Sequence, residues 1–350
     1  MPRIASAAHA FPPHTASQET VKGAVRQIFA GTVTDLERLL AVFDNSRIDS
    51  RQFMMPVEWY LEPRTPAERT RIYQEQGLAL LEAAALTCLD RAGCRPIDID
   101  QVIFISSTGH ATPTLDAHLV NRLGMRPSTS RLPIWGLGCA AGAAGLSRAC
   151  DHCLAHPGHR VMLVALECCS LTFMAGDVTK KNLVATSLFA DGAAAALVCG
   201  DRTGSGGPSI AATRSHLLPD SYRIMGWDFL DEGMHLVLSP KLPLVIRQEL
   251  PALVEGLLSD HDLTLRDIVH YITHPGGARV IDAYREALNL SAEDLRLSEE
   301  LLRRHGNLSS VSVLVVLERW LASARAQVEG YGLLSAFGPG FSAEMLLVRV

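Results

Sequence analysis

Residues Ile134-Trp135-Gly136-Leu137-Gly138-Cys139-Ala140-Ala141-Gly142-Ala143-Ala144-Gly145-Leu146 run from an apolar strand through Gly-x-Gly into a helix made almost wholly of Ala and Gly. Glycines ahead of a cysteine permit the sharp turn that exposes it. Small residues behind it let the helix pass through a crowded centre. The free N–H groups and partial positive charge of a helix N-terminus favour thiolate at that sulfur. A cysteine is ordinarily a small buried apolar residue, and this context shifts Cys139 toward a nucleophile.

Working outward, Gln101–Ser107, Arg160–Glu167 and Ala193–Cys199 read as strands covered on both faces, because each is a short, nearly continuous apolar run. Residues 17–43 and 74–93 carry Leu and Ala three and four apart and predict helices. Asp201–Pro208 (DRTGSGGP) is the clearest linker and divides the chain into parts 1–205 and 206–350. The parts echo one another. Val102–Ser107 followed by Leu115-Asp116-Ala117 matches Ile268–Thr273 followed by Ile281-Asp282-Ala283, at a constant offset of 166 residues. Phe189-Ala190-Asp191-Gly192-Ala193 is echoed by Phe337-Gly338-Pro339-Gly340-Phe341. Two echoes in one order favour a duplicated α/β unit, with its site where loops of both halves converge.

Composition narrows the class. With 350 residues, 48% hydrophobic and 20% charged, the chain can bury a large core as one large or two fused domains. A net charge of −5 with scattered Lys and Arg offers nothing to nucleic acid or an anionic membrane. The eight cysteines lie mostly in apolar segments and read as reduced thiols of a cytoplasmic protein, not a secreted disulfide framework. No cleaved signal is expected from Met1-Pro2-Arg3-Ile4, and no run reaches the ~18 apolar residues of a membrane span. Cys150-Asp151-His152-Cys153 is a lone C-x-x-C without a second pair, so no metal is expected.

Two further residues are candidates. His274 ends the run Ile268–Thr273 and is followed by Pro275-Gly276-Gly277, which frees it to face a cleft. Asn307 lies in His305-Gly306-Asn307-Leu308-Ser309-Ser310, just before the apolar helix Val311–Arg325. Helix capping is the ordinary role of such an Asn, and Ser309 or Ser310 could cap in its place.

Taken together these stretches resemble the type III polyketide synthases, the chalcone synthase-like branch of the thiolase superfamily. Carrying the resemblance are Gly138-Cys139-Ala140-Ala141-Gly142, Leu188-Phe189-Ala190-Asp191-Gly192, His274-Pro275-Gly276-Gly277, Gly306-Asn307-Leu308-Ser309-Ser310 and Phe337-Gly338-Pro339-Gly340-Phe341, in family order from about residue 100 onward. The resemblance implies a five-layered αβαβα thiolase-like fold of two duplicated halves, a homodimer, and coenzyme A thioesters as substrates with no other cofactor. It implies Cys139 as the acyl-carrying nucleophile, ion-paired with His274 before loading. His274 and Asn307 then serve as donors to the enolate left when malonyl-CoA loses carbon dioxide.

Ser50-Arg51-Gln52-Phe53, Ser170-Leu171-Thr172-Phe173 and Met225-Gly226-Trp227-Asp228 narrow the likeness to bacterial alkylpyrone and alkylresorcinol synthases, which start from fatty acyl-CoA. Of the two gate Phe residues of plant chalcone synthases, Phe189 matches one and Leu236 replaces the other. Thr112 falls where the family's partner-crossing Met stands. Thr172 and Cys169 match cavity walls, Gly338 and Pro339 belong to the closing loop, and Arg51 and Arg279, with Arg47 weaker, lie near positions that hold coenzyme A phosphates. A ketoacyl carrier-protein synthase shares the Cys, His and Asn but lacks the Phe-Gly-Pro-Gly loop. A papain-like protease carries its Cys near the mature N-terminus in another setting. A non-catalytic scaffold has no need of the triad.

Overall fold

The computed structural model describes every residue except Val178 and Glu232. Its strands are β1 (Arg3–Ala10), β2 (His14–Ser17), β3 (Ser50–Phe53), β4 (Gln101–Ile105), β5 (Ser130–Ile134), β6 (Arg160–Cys168), β7 (Asp191–Cys199), β8 (Ser209–Leu217), β9 (Met225–Leu230), β10 (Gly233–Leu238), β11 (Ile268–Thr273), β12 (Tyr331–Gly338) and β13 (Ser342–Arg349). The α-helices are α1 (Gln18–Phe29), α2 (Leu36–Asp44), α3 (Pro66–Arg91), α4 (Leu115–Arg122), α5 (Ala141–Ala155), α6 (Lys180–Leu188), α7 (Leu242–Ser259), α8 (Ala278–Leu288), α9 (Ala292–His305) and α10 (Ser310–Leu321).

Nine strands form one mixed sheet in the order β11-β12-β13-β8-β1-β7-β6-β4-β5. Its waist is narrow, for β1 and β8 pair only at Arg3 and Ser209. Either side of that pair lies one copy of the same pattern. β4 is parallel to β6, β6 antiparallel to β7, and β7 antiparallel to β1. β11 is parallel to β12, β12 antiparallel to β13, and β13 antiparallel to β8. The 166-residue echo is thus β4 against β11, and β5 is the extra strand of the first copy, at an edge. Three apolar clusters complete the layers. One binds α3 to the outer face of the first half-sheet, one binds α7 and α8 to the second, and the largest holds α5 and α10 between the two. This is the five-layered thiolase arrangement.

Local chemistry sets the element ends. Thr65 and Glu68 form a reciprocal capping box and Pro66 opens α3, so that helix starts ahead of the periodicity that predicts it. The helical pattern over 17–43 is broken into α1 and α2 because Gly31 takes φ +74° at the end of α1. In α5, a Cβ at Gly142 would sit 2.4 Å from the Ser310 carbonyl oxygen and one at Gly145 2.6 Å from Leu163. The Gly/Ala run is what allows α5 to lie against α10 and the sheet.

Candidate active site

Cys139 sits in a short 3-10 turn, Gly138–Ala140, that feeds directly into α5. Gly138 has φ +46°, and a Cβ there would meet Pro339 at 2.8 Å. A Cβ at Gly338 would strike the Leu137 carbonyl at 2.4 Å. The Cys139 turn and the Gly338-Pro339 loop therefore interlock, which neither could do with larger residues. The thiol is buried, and desolvation pushes its pKa up to about 12, with its hydrogen-bond contacts to Ser309 and Asn307 offsetting only part of it. Burial thus outweighs the helix N-terminus on which the thiolate expectation rests.

The second half supplies His274 and Asn307. His274 follows β11 and is buried, with its backbone N–H held by the Ser335 carbonyl at 2.9 Å. Among the described residues neither ring nitrogen has a hydrogen-bond partner, and burial lowers its pKa to about 3. Asn307 Nδ2 donates to the Gly276 carbonyl at 3.0 Å, while its Oδ1 accepts from the Ser309 N–H at 2.8 Å. The imidazole lies over the same Gly276, so the His and Asn side chains flank one backbone unit. Asn307 is not a helix cap. Its own N–H donates to Leu188 and its carbonyl accepts from Ala190, tying it by a parallel bridge to Phe189. Ser309, with φ 52°, stands at the N-cap of α10 without capping it.

One buried carboxylate completes this nest. Glu167, near the end of β6, accepts from Ser309 at 3.3 Å, Ser310 at 2.5 Å, Thr108 Oγ1 at 2.9 Å and the Ser107 N–H at 3.1 Å. Cys139 in turn donates to Ser309 Oγ at 3.7 Å. Desolvation nonetheless raises the Glu167 pKa.

An apolar cavity lies alongside. Its walls include Cys169, Thr172, Phe189 and Leu236, and also Phe53, Tyr60, Phe173 and Trp227, whose part the sequence does not announce. Phe189 and Trp227 stand 6.3 Å apart between ring centres. Among the described residues no group of three His, Cys, Asp or Glu could hold a metal ion, and no helix is long and apolar enough to cross a membrane.

The description "Chalcone and stilbene synthases, N-terminal domain" matches residues 4–202, and its C-terminal counterpart matches 209–350. This chain belongs to that family, the type III polyketide synthases. It is 41% identical to a Bacillus subtilis protein named for chalcone synthase, over 98% of this chain and 97% of that one. It is 38% identical to 1,3,6,8-tetrahydroxynaphthalene synthase of Streptomyces peucetius, over 99% and 92%. Among solved structures, tetrahydroxynaphthalene synthase of Streptomyces coelicolor superposes with a TM-score of 0.94 at 31% identity, covering 99% of each chain. The chain is accordingly an acyltransferase-type enzyme of decarboxylative condensation, acting on coenzyme A thioesters.

Within this type III polyketide synthase the expected site residues separate into groups. Cys139, Asn307 and His274 come together around Ser309 and Gly276, and Cys169, Thr172, Phe189 and Leu236 share the cavity. Gly338 and Pro339 back the Cys139 turn. Thr112 is exposed, in the loop before α4, and does not line the cavity of its own chain. Arg279 is exposed in the first turn of α8, just past His274, whereas Arg47 is engaged by Asp282 at 2.9 Å.

Arg51 departs from the expectation. It is 1% exposed, and its Nη1 donates to the carbonyls of Thr186 and Phe189 at 2.6 and 2.7 Å. A guanidinium so enclosed, its pKa lowered to about 9 by desolvation, braces the Phe189 segment and cannot meet coenzyme A phosphates at the surface. Burial pushes the Cys139 thiol up and the His274 imidazole down.

Glu167 is the buried carboxylate beside the site that sequence reasoning passed over. Its signal is visible in retrospect, for it is the single charged residue in Val161–Leu171, and a lone charge in a strand covered on both faces needs partners.

Proposed function

We propose that the synthase loads a medium- or long-chain fatty acyl group from coenzyme A onto Cys139, extends it with malonyl-CoA, and releases alkylpyrones or alkylresorcinols. Cys139 attacks the thioester and coenzyme A leaves. Malonyl-CoA then loses carbon dioxide, and the resulting enolate oxygen is met by the His274 imidazole N–H and the Asn307 amide. The carbanion attacks the acyl-Cys139 carbonyl. Neutral donors suit this step, because a carboxylate there would repel the enolate. No cofactor beyond the thioesters is required.

The observation that carries the starter is Leu236 in the wall of the cavity that Phe189, Phe173 and Trp227 also line. An aliphatic wall gives up a stacking face for a phenylpropanoid ring and keeps apolar surface, against which each buried methylene gains about 0.8 kcal/mol. The test is kcat/KM for acetyl-, hexanoyl-, lauroyl- and palmitoyl-CoA at fixed malonyl-CoA. A rise along the series is expected, and a flat or falling one removes the fatty starter. That outcome would favour a second reading, a small acetyl or malonyl starter, supported by relatives whose names, tetrahydroxynaphthalene and phloroglucinol synthase, denote products without an alkyl tail.

A homodimer through the β5 edge belongs to the same reading. Ser130–Pro133 of that strand are exposed, and Thr112 and Trp135 stand exposed beside it. An edge left with unpaired backbone groups invites a second strand. Sedimentation at micromolar concentration should give a dimer. Eight free cysteines accord with a reducing cytoplasmic location.

A further inference from the structure

Strands β9 and β10 form a two-stranded sheet of their own, apart from the nine-stranded one. Two strands alone are marginal in water, so such a hairpin keeps its place through side-chain contacts. Alternation along β10, with Leu236 opposite Trp227, puts Trp227, Met234 and Leu236 on one face, and all three line the cavity. His235, opposite Asp228, takes the other face. At the base of the hairpin the Met225 carbonyl accepts from the Gly340 N–H at 2.9 Å. Toward the tip Phe229 is 54% exposed and leans on Trp135, with ring centres 5.8 Å apart. The base is thus anchored by backbone and the tip by surface contacts.

Two contacts join this hairpin to the segment ahead of α6. A Cβ on Gly233 would stand 3.0 Å from Met174 Sδ, and His235 Nδ1 lies 3.2 Å from Asp177 Oδ2. The Asp177 side chain is 5% exposed, and a carboxylate so enclosed needs donors. Its Oδ1 accepts from the Thr179 N–H at 2.9 Å, and the Asp177 carbonyl accepts from Asn182 Nδ2 at 2.6 Å. Thr179 caps α6, and Asn182, Ala185 and Thr186 of that helix line the same cavity. The pair therefore joins two walls of one cavity, hairpin and helix, without itself lining it.

We propose that the His235–Asp177 pair latches the β9–β10 hairpin to the start of α6 and thereby sets how wide a starter the cavity admits. The proposal rests on that cavity holding the starter. His235 and Asp177 are positioning residues, because they act through Trp227, Met234 and Leu236. A hydrogen bond to a carboxylate is stronger than one between neutral groups. Without the imidazole, Asp177 Oδ2 loses a partner in a buried place, and the carboxylate gains by reaching water. Water that enters there separates hairpin from helix, and the Leu236 wall moves outward with the hairpin.

The test is labelling of the intact protein with N-ethylmaleimide at one fixed pH, read cysteine by cysteine by mass spectrometry. Cys169 is buried in the cavity wall, Cys88 and Cys199 are buried in the cluster that holds α3, and Cys94 is half-buried. In His235→Ala, Cys169 should label about tenfold or more faster than in wild type, the scale of one lost bond to a charged group, with Cys88 and Cys199 unchanged and Cys94 calibrating the reagent. Asp177→Asn, which keeps an acceptor for the Thr179 N–H, should act in the same direction. The ratio of kcat/KM for benzoyl-CoA to that for acetyl-CoA should rise about tenfold in His235→Ala, since a wider cavity favours the bulkier starter. A general loss of folded enzyme lowers both constants alike and leaves that ratio where it was. Wild-type labelling of Cys169 in either variant overturns the proposal, as does an equal rise at Cys88 and Cys199, or an unchanged ratio. Should His235→Ala fail to fold, as shown by its thermal melt, Asp177→Asn decides alone by the same readings. Labelling needs no substrate and the ratio uses no fatty starter, so failure of the chain-length series and failure of this latch remain separate results.

Discussion

Helices α5 and α10 hold matching places in the two halves of the chain and are opposite in composition. α5 buries Ala, Gly and Cys along its first three turns, whereas α10 buries Val, Leu and Trp. One helix leaves the volume that the other fills. The turns ahead of them diverge in the same way, for the first carries a single sulfur and the second carries Asn307, Ser309 and the link to Glu167. A duplicated scaffold has placed two equivalent helix starts face to face, and under the proposed function the halves divide the chemistry, nucleophile on one side and donors on the other.

The largest expected effect of breaking this division is at the sulfur. Cys139→Ala should abolish acyl loading, read as covalent mass after incubation with an acyl-CoA. Persistent loading would move the nucleophile elsewhere. Asn307→Ala, on the other side, should spare loading and lower malonyl-CoA decarboxylation by roughly 10²–10³, the usual cost of one such donor. Intact decarboxylation would return Asn307 to a purely structural place beside Phe189.

The packing half of the comparison is tested at the contact itself. Gly142→Ala drives a methyl into the Ser310 carbonyl and into Val313 Cγ1, which lies 2.7 Å from the added Cβ. A loss of about 1–3 kcal/mol is expected in chemical denaturation. Val313→Ala, which opens a void, should cost a similar amount. The double variant should fall short of their sum, because the two residues share a contact. Simple additivity would mean that α5 and α10 do not set one another's residues.

Acid should act more gently and mostly on the second half. His274 and His305 are both held neutral, with pKa lowered to about 3, by burial first and, for His305, by nearby Arg319 and His9. The unfolded chain binds protons at these sites below about pH 6.5, where the fold does not. Their contribution is therefore complete above that pH and is lost progressively as pH falls toward 3. His305→Gln should flatten the decline of melting temperature over this window. An unchanged slope would place the acid sensitivity in other groups.

Much of this was legible in the residues. Gly138, Gly142 and Gly145 announce a helix that must pass close to its neighbours, and the offset echo locates β4 and β11. Cys139, His274 and Asn307 stand out because each closes or opens an element. What escaped is depth. Ser50-Arg51-Gln52-Phe53 offers Arg51 as a phosphate ligand by resemblance, and nothing local says that it lies beneath the Phe189 segment, because that burial is made by α6 and the loop at Gly306, more than a hundred residues away. The burial of Cys139 escaped for the same reason. A helix N-terminus is visible in sequence, whereas the apolar shell that outweighs it is assembled from both halves.

The narrow waist of the sheet bears on how the chain reaches this form. β1 is an interior strand, paired along its length with β7 and touching β8 at Arg3. The segment Arg3–Ala10 therefore waits for a partner that lies at Asp191–Cys199. At ordinary rates of synthesis, about 5–20 residues per second, that wait lasts roughly 10–40 s. Contacts so distant in sequence also fold slowly once both ends exist. During that interval the first half-sheet lacks a central strand and exposes the apolar rows of β4 and β6. Chaperone demand during translation should therefore peak before residue 199 emerges from the ribosome.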